Sequence, residues 1–212
     1  MILIQKNTAP NSLTEYRQTP NASFDDMDSA VKADLRESLL NEQGHLCAYC
    51  MSRINANTKV KIEHFSARTP ENELQYQNLF AVCGGNEGQK YSLQTCDTRK
   101  GNRKLHINPL NPIDMSTIKY NNDGTIHSTD PVCESELHSV LNLNCPNGYL
   151  IANRKTAIQT IRNELSKLRP GQDRKVLLEK LLKTYSEPKI ELEPYVGIIR
   201  WYINKQLRKC VS

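Results

Sequence analysis

Apolar residues recur along this chain with two different periods, and the switch between them divides it. Val31, Leu35 and Leu39 repeat every fourth position, with Leu40 beside them, which is the stripe of an amphipathic helix. Ser23-Phe24-Asp25-Asp26 sets acids near the positive end of the helix dipole, and Gly44 supplies a stop. The pattern predicts a helix over 26–43 that leads directly into Cys47. Ahead of it, residues 1–22 carry Pro10, Pro20 and several Asn, Ser and Thr, and read as an extended, partly mobile leader.

The period then falls to two. Val60, Ile62 and His64 share one parity, and Lys59, Lys61 and Glu63 the other, predicting a half-buried strand that ends at the histidine. A short apolar run follows at 78–82. The segment 84–95 holds Gly84, Gly85 and Gly88 and reads as an inserted loop, and 97–105 reads as a helix start with Asp97 at or near its N-cap. After Asn108-Pro109-Leu110-Asn111-Pro112 the texture changes. Ile118–Tyr120 and Thr125–His127 flank Asn121-Asn122-Asp123-Gly124, a hairpin signal. From about Gly148 the helical period returns: Ile158, Ile161, Leu165 and Leu168 up to Pro170-Gly171, then Val176, Leu177, Leu181 and Leu182, then Val196, Ile199, Tyr202 and Ile203 after Pro194. An α+β protein is expected, organised as a leader and helix (1–43), a compact core (44–105), a hairpin and connecting segment (106–150) and a helical C-terminal region (151–212).

Composition narrows the class. Apolar residues make up 38% of the 212, low for a globular chain but too many for a fully disordered one. No run of about 18 apolar residues exists, and Met1–Lys6 lacks a signal-peptide core, so no membrane association and a cytoplasmic location are expected. The net charge of +5 is uneven: residues 151–212 hold 14 Lys+Arg against 6 Asp+Glu, a net of +8, which leaves −3 for the first 150. A basic region suits a polyanionic partner, or equally a set of solvated helix faces.

The seven cysteines direct attention to metal chemistry. Cys47-Ala48-Tyr49-Cys50 is a C-x-x-C knuckle, and Cys83 and Cys96 are the natural second pair for a tetrahedral zinc site. Twelve residues separate that second pair, a loop that can close because closure entropy grows slowly with length. Competing readings are a redox C-x-x-C couple, which lacks a surrounding βαβ pattern, and unrelated buried thiols. Cys133, Cys145 and Cys210 read as ordinary thiols, with His45 and His106 as substitute ligands.

Between the cysteine pairs lies Glu63-His64. A histidine titrating near neutrality can deprotonate water. Phosphodiester cleavage also needs charge neutralisation, which Mg²⁺ or Mn²⁺ supplies with one or two carboxylates; Asp97 is the best candidate ligand and Glu63 the second. Asn78 could fix the loop after His64, while Arg99, Lys100, Arg103 and Lys104 could meet phosphates. Each has a plain structural alternative, such as an N-cap for Asp97 or a turn for Asn78.

The joint order of C-A-Y-C, Glu-His, Asn, Cys and Cys-Asp-x-x-Lys resembles the HNH endonucleases. The resemblance implies a ββα-metal core with a structural zinc on Cys47, Cys50, Cys83 and Cys96. It also implies His64 as general base, Asn78 as positioning residue, and Glu63 and Asp97 as ligands of a catalytic Mg²⁺ or Mn²⁺. Glu63 stands where the family usually has Asp, and Asp97 where it has His or Asn; both keep a metal-binding oxygen. L-L-N-E-Q-G-H-L-C-A-Y-C, together with L-N-L-N at 141–144 and Asn153-Arg154, looks like the HNH subgroup that includes PtuB, the nuclease subunit of Septu anti-phage systems. That likeness implies a nucleic-acid substrate (DNA or RNA), an ATPase partner subunit and, in some cases, a retron. A non-catalytic zinc-binding module that docks nucleic acid or a partner protein is the rival class.

Overall fold

The computed structural model describes residues 1–55 and 58–210. Its elements run α1 (Asn11–Tyr16), α2 (Ser29–Glu42), β1 (Val60–His64), β2 (Leu79–Cys83), α3 (Cys96–Lys100), α4 (Pro112–Thr117), β3 (Ile118–Tyr120), β4 (Ile126–Ser128), α5 (Pro131–Ser139), α6 (Tyr149–Ser166), α7 (Arg174–Ser186) and α8 (Val196–Lys209). The protein is α+β, with two antiparallel two-stranded sheets, β1–β2 and β3–β4.

In the first sheet Val60 pairs with Cys83 and His64 with Leu79. Every residue of β2 is buried, so it is covered on both faces and reads as an unbroken apolar run rather than an alternation. Gln43, at the end of α2, acts as a substitute strand: its Nε2 donates to the Ala81 carbonyl at 2.7 Å and its Oε1 accepts from Ala81 N at 2.8 Å. The knuckle backbone also reaches β2, with Ala48 N donating to Ala81 O at 3.2 Å.

Residues 1–22 do not behave as a mobile leader. Met1, Ile4 and Leu13 are buried in the common core, and α1 packs on α2. The buried Lys6 ammonium donates to Glu42 Oε1 at 2.6 Å and to the Leu79 carbonyl, 4.4 Å from the centre of the Tyr76 ring. Apolar anchors at 1, 4 and 13 are too sparse to register as a period, which is why the pattern missed them.

Other differences from expectation are local. α3 is a single short turn-and-a-half with Thr95 as N-cap and Asp97 in its first turn. α4 and α5 were not expected; each begins with a capping Asn111 or Asp130 followed by proline at the first helical position, where a missing N–H costs nothing. On α7 the inward stripe centres on Leu178, while Val176 is 60% exposed. The Asn121–Gly124 hairpin does form, joining β3 to β4. Among the described residues no helix is long and apolar enough to cross a membrane.

Candidate metal and hydrolytic site

Three chain segments bring Cys47, Cys50, Cys83 and Cys96 together in the core, all four Sγ atoms within 4.8 Å of one another and all buried. Cys47 and Cys96 are 3.9 Å apart and Cys50 and Cys83 3.7 Å. Tetrahedral zinc with Zn–S bonds of about 2.3 Å has an S···S edge of about 3.8 Å, which these two separations match. Burial, then the neighbouring sulfurs, push Cys47 well up. Hydrogen bonds from the other three thiols pull Cys50 well down, so negative charge concentrates where a soft cation would sit. The set could hold a metal ion such as zinc.

The long insert closes onto this cluster through specific bonds. Thr95 N donates to Gly85 O at 2.9 Å, and Cys96 N to Leu141 O at 3.0 Å. Asn142 Nδ2 donates to the carbonyls of Ser92 (3.0 Å) and Gln94 (2.9 Å). Neither His45 nor His106 joins the cluster.

Glu63 leaves β1 on the side of α3. Its Oε1 lies 2.7 Å from Lys100 Nζ and accepts from the Tyr49 hydroxyl at 3.2 Å. Burial and the touching Asp97 carboxylate push Glu63 up to about 8, against the pull of Lys100. Asp97 also faces Lys61, whose Nζ is 3.4 Å away. Two carboxylates thus meet at the β1–α3 junction between two ammonium groups, a set of hard oxygen donors that suits a divalent cation.

His64 follows on the opposite face, as strand alternation requires. Its Nε2 lies 2.9 Å from the Glu73 carbonyl, so Nε2 carries the proton and Nδ1 keeps the basic lone pair. Phe24 packs edge-on at 4.6 Å. Burial lowers its pKa below the usual 6.5, which keeps the ring neutral near pH 7. Asn78 ties down the loop after His64: its Oδ1 accepts from Ser66 N at 2.8 Å and its Nδ2 donates to Ser66 O at 3.1 Å.

The basic residues after Asp97 are mostly committed inward. Lys100 is buried on Glu63 and also donates to the His64 carbonyl at 3.1 Å. Arg103 spends its guanidinium on the carbonyls of Lys100, Arg99, Ser139 and Val140. Arg99 stacks 3.6 Å from the Tyr91 ring centre and donates to the Tyr91 carbonyl. Lys104 is exposed. Tyr49, Phe24 and the Glu73 carbonyl were not singled out in the sequence. Tyr49 alone carried a signal, as the aromatic inside the C-x-x-C knuckle.

No family model matches the sequence. Over 178 residues the chain is 28% identical to a candidate HNH endonuclease of retron Vc95 from Vibrio cholerae serotype O1 biovar El Tor, covering 76% of this chain and 84% of that protein. The chain is similar to a retron HNH endonuclease. Over 116 residues the chain is also 29% identical to a candidate HNH endonuclease of retron Ec83 from Escherichia coli, covering 46% of this chain and 45% of that protein.

Proposed function

We propose that this chain is a metal-dependent HNH endonuclease that hydrolyses phosphodiester bonds of DNA or structured RNA. In this reading β1, β2 and α3 are its ββα-metal core, and the buried thiolates hold a structural zinc. The observation that supports it most is the meeting of Glu63 and Asp97 at the β1–α3 junction, with the next residue of β1, His64, kept neutral by burial and left with a basic Nδ1 because its Nε2 donates to the Glu73 carbonyl. Glu63 and Asp97 are the ligands for Mg²⁺ or Mn²⁺, which would neutralise charge on the scissile phosphate and on the leaving oxygen. His64 Nδ1 takes the proton from the attacking water. Tyr49 and Lys100 orient and neutralise Glu63, and Asn78 keeps the residues after His64 in place. The retron setting of both relatives favours a role as effector nuclease of a cytoplasmic anti-phage complex. The ATPase partner is proposed from likeness to the Septu subgroup.

One observation favours the rival, a zinc module that docks nucleic acid or a partner without cutting. Lys100 already occupies Glu63, and Arg103 is spent on backbone carbonyls, so these two cations serve the fold rather than a scissile phosphate. Titrating Mg²⁺ and Mn²⁺ into the chain co-expressed with its genomic neighbours, with plasmid and RNA substrates, separates the two. Metal-dependent cleavage lost in His64→Ala supports the nuclease. Cleavage at the wild-type rate in that variant removes His64 from the mechanism.

A further inference from the structure

A second set of metal-ligand side chains lies away from the cysteine cluster. His106 sits in the segment between α3 and α4, Asp130 caps α5, and Cys133 is the third residue of that helix. One ligand atom from each lies within 4.8 Å of the other two. We propose that His106, Asp130 and Cys133 form a second metal site, for a borderline divalent cation such as Zn²⁺, with one position left open to solvent.

The local structure favours this arrangement. A third helical residue projects back toward its N-cap, so Cys133 and Asp130 face each other by the geometry of the helix start. Asp130 caps through one oxygen alone: Oδ1 accepts from Val132 N and Cys133 N, each at 2.9 Å, and Oδ2 remains for a ligand bond. The backbone of His106 is held against α5 by Glu136, whose two oxygens accept from His106 N at 2.7 Å and Ile107 N at 2.8 Å. The imidazole therefore starts from a fixed base near the other two. A carboxylate, a thiolate and a neutral imidazole balance the charge of a divalent ion. The positive end of α5 favours the two anionic ligands. Zinc accepts all three donor types. His106 is exposed and Cys133 buried, so the open position would face water. Such an ion would pin the segment six residues beyond Lys100 to α5.

The test uses the full chain loaded with Co²⁺ or Zn²⁺, with metal content and the cobalt absorption spectrum as readouts. About two equivalents are expected to survive desalting into excess Mg²⁺, which keeps Co²⁺ and Zn²⁺ off the Glu63–Asp97 pair. His106→Gln and Asp130→Asn should each lose about one. Asparagine keeps the N-cap, and both side chains lie at the surface, so these variants should fold. The intense bands of cobalt on four thiolates should remain in both. Cys133→Ser should lose the same equivalent and serves as confirmation. Wild-type protein holding a single four-thiolate ion, or a His106→Gln variant with unchanged content and spectrum, overturns the proposal.

Discussion

His64 shows how much one backbone carbonyl can decide. Because Glu73 O accepts from Nε2, the tautomer is fixed and the basic nitrogen is the one left over. Removing the ring in His64→Ala should lower cleavage by about 10²–10⁴-fold, the usual contribution of a general base, while zinc content and circular dichroism stay unchanged. The pH behaviour follows from burial. The folded-state pKa lies below 6.5, so the base stays active into mildly acidic buffer and the acid limb of the rate profile should fall below 6.5. The same shift has a stability sign. Above 6.5 the ring is neutral folded or unfolded and contributes nothing. Below it the unfolded chain binds the proton first, so stability drops with falling pH until the folded pKa is passed. Urea midpoints between pH 5 and 8 check this by comparison with His64→Gln: other groups, Glu63 among them, titrate in both proteins, and the difference between the two curves should carry the drop.

At the scale of elements, the hairpin β3–β4 and helix α6 are joined by one buried side chain. Arg154 donates through Nε to the Gly124 carbonyl at 2.6 Å, and through Nη2 to Leu143 O at 2.8 Å and Asn144 Oδ1 at 3.0 Å. Asn144 in turn pairs with both backbone groups of Ile126. Arg154→Ala should cost about 3 kcal/mol or more, since it strips several buried acceptors at once, read as a lowered denaturant midpoint. These bonds give physical content to residues that the sequence offered only as a family likeness. L-N-L-N at 141–144 is a backbone clamp, with Leu141 and Asn142 steadying the approach to Cys96 and Asn144 steadying the hairpin. Nothing in hydrophobic period points to that, because the work is done by amides bonding to backbone. Strands β1 and β2 and the long helices were legible, since each buries a regular stripe. Helices α4 and α5 were hidden because Asn-Pro and Asp-Pro look like breakers until the proline is read as a first helical residue. The partner of Lys100 was hidden too: a lysine after Asp97 looks like a phosphate contact, and only the fold turns it inward to Glu63.

For the whole molecule, the cysteine cluster is the point where distant parts of the chain meet. It joins the turn after α2 to the end of β2 and the start of α3, and it sits in the same continuous core as residues from Met1 to Ile203. Removing a zinc ion from it should therefore loosen the molecule globally. A strong chelator, or Cys96→Ser, should lower the thermal midpoint by more than about 10 °C and broaden the transition, because metal binding energy is folding energy at such sites. Scanning calorimetry with and without re-added zinc checks this.

The neck of the 84–95 insert has a practical consequence. The loop is fastened at its base, where Thr95 N meets Gly85 O, and a side chain at Gly85 would collide with the Thr95 carbonyl. At the tip, Gly88 has open space around it. The base is closely packed while the tip has room at Gly88, which makes the tip a port for foreign sequence. A peptide tag of about ten residues inserted after Gly88 should leave zinc content and thermal midpoint unchanged, given the slow growth of closure entropy. A label for imaging or capture could then be carried beside the cysteine cluster without touching Cys83 or Cys96.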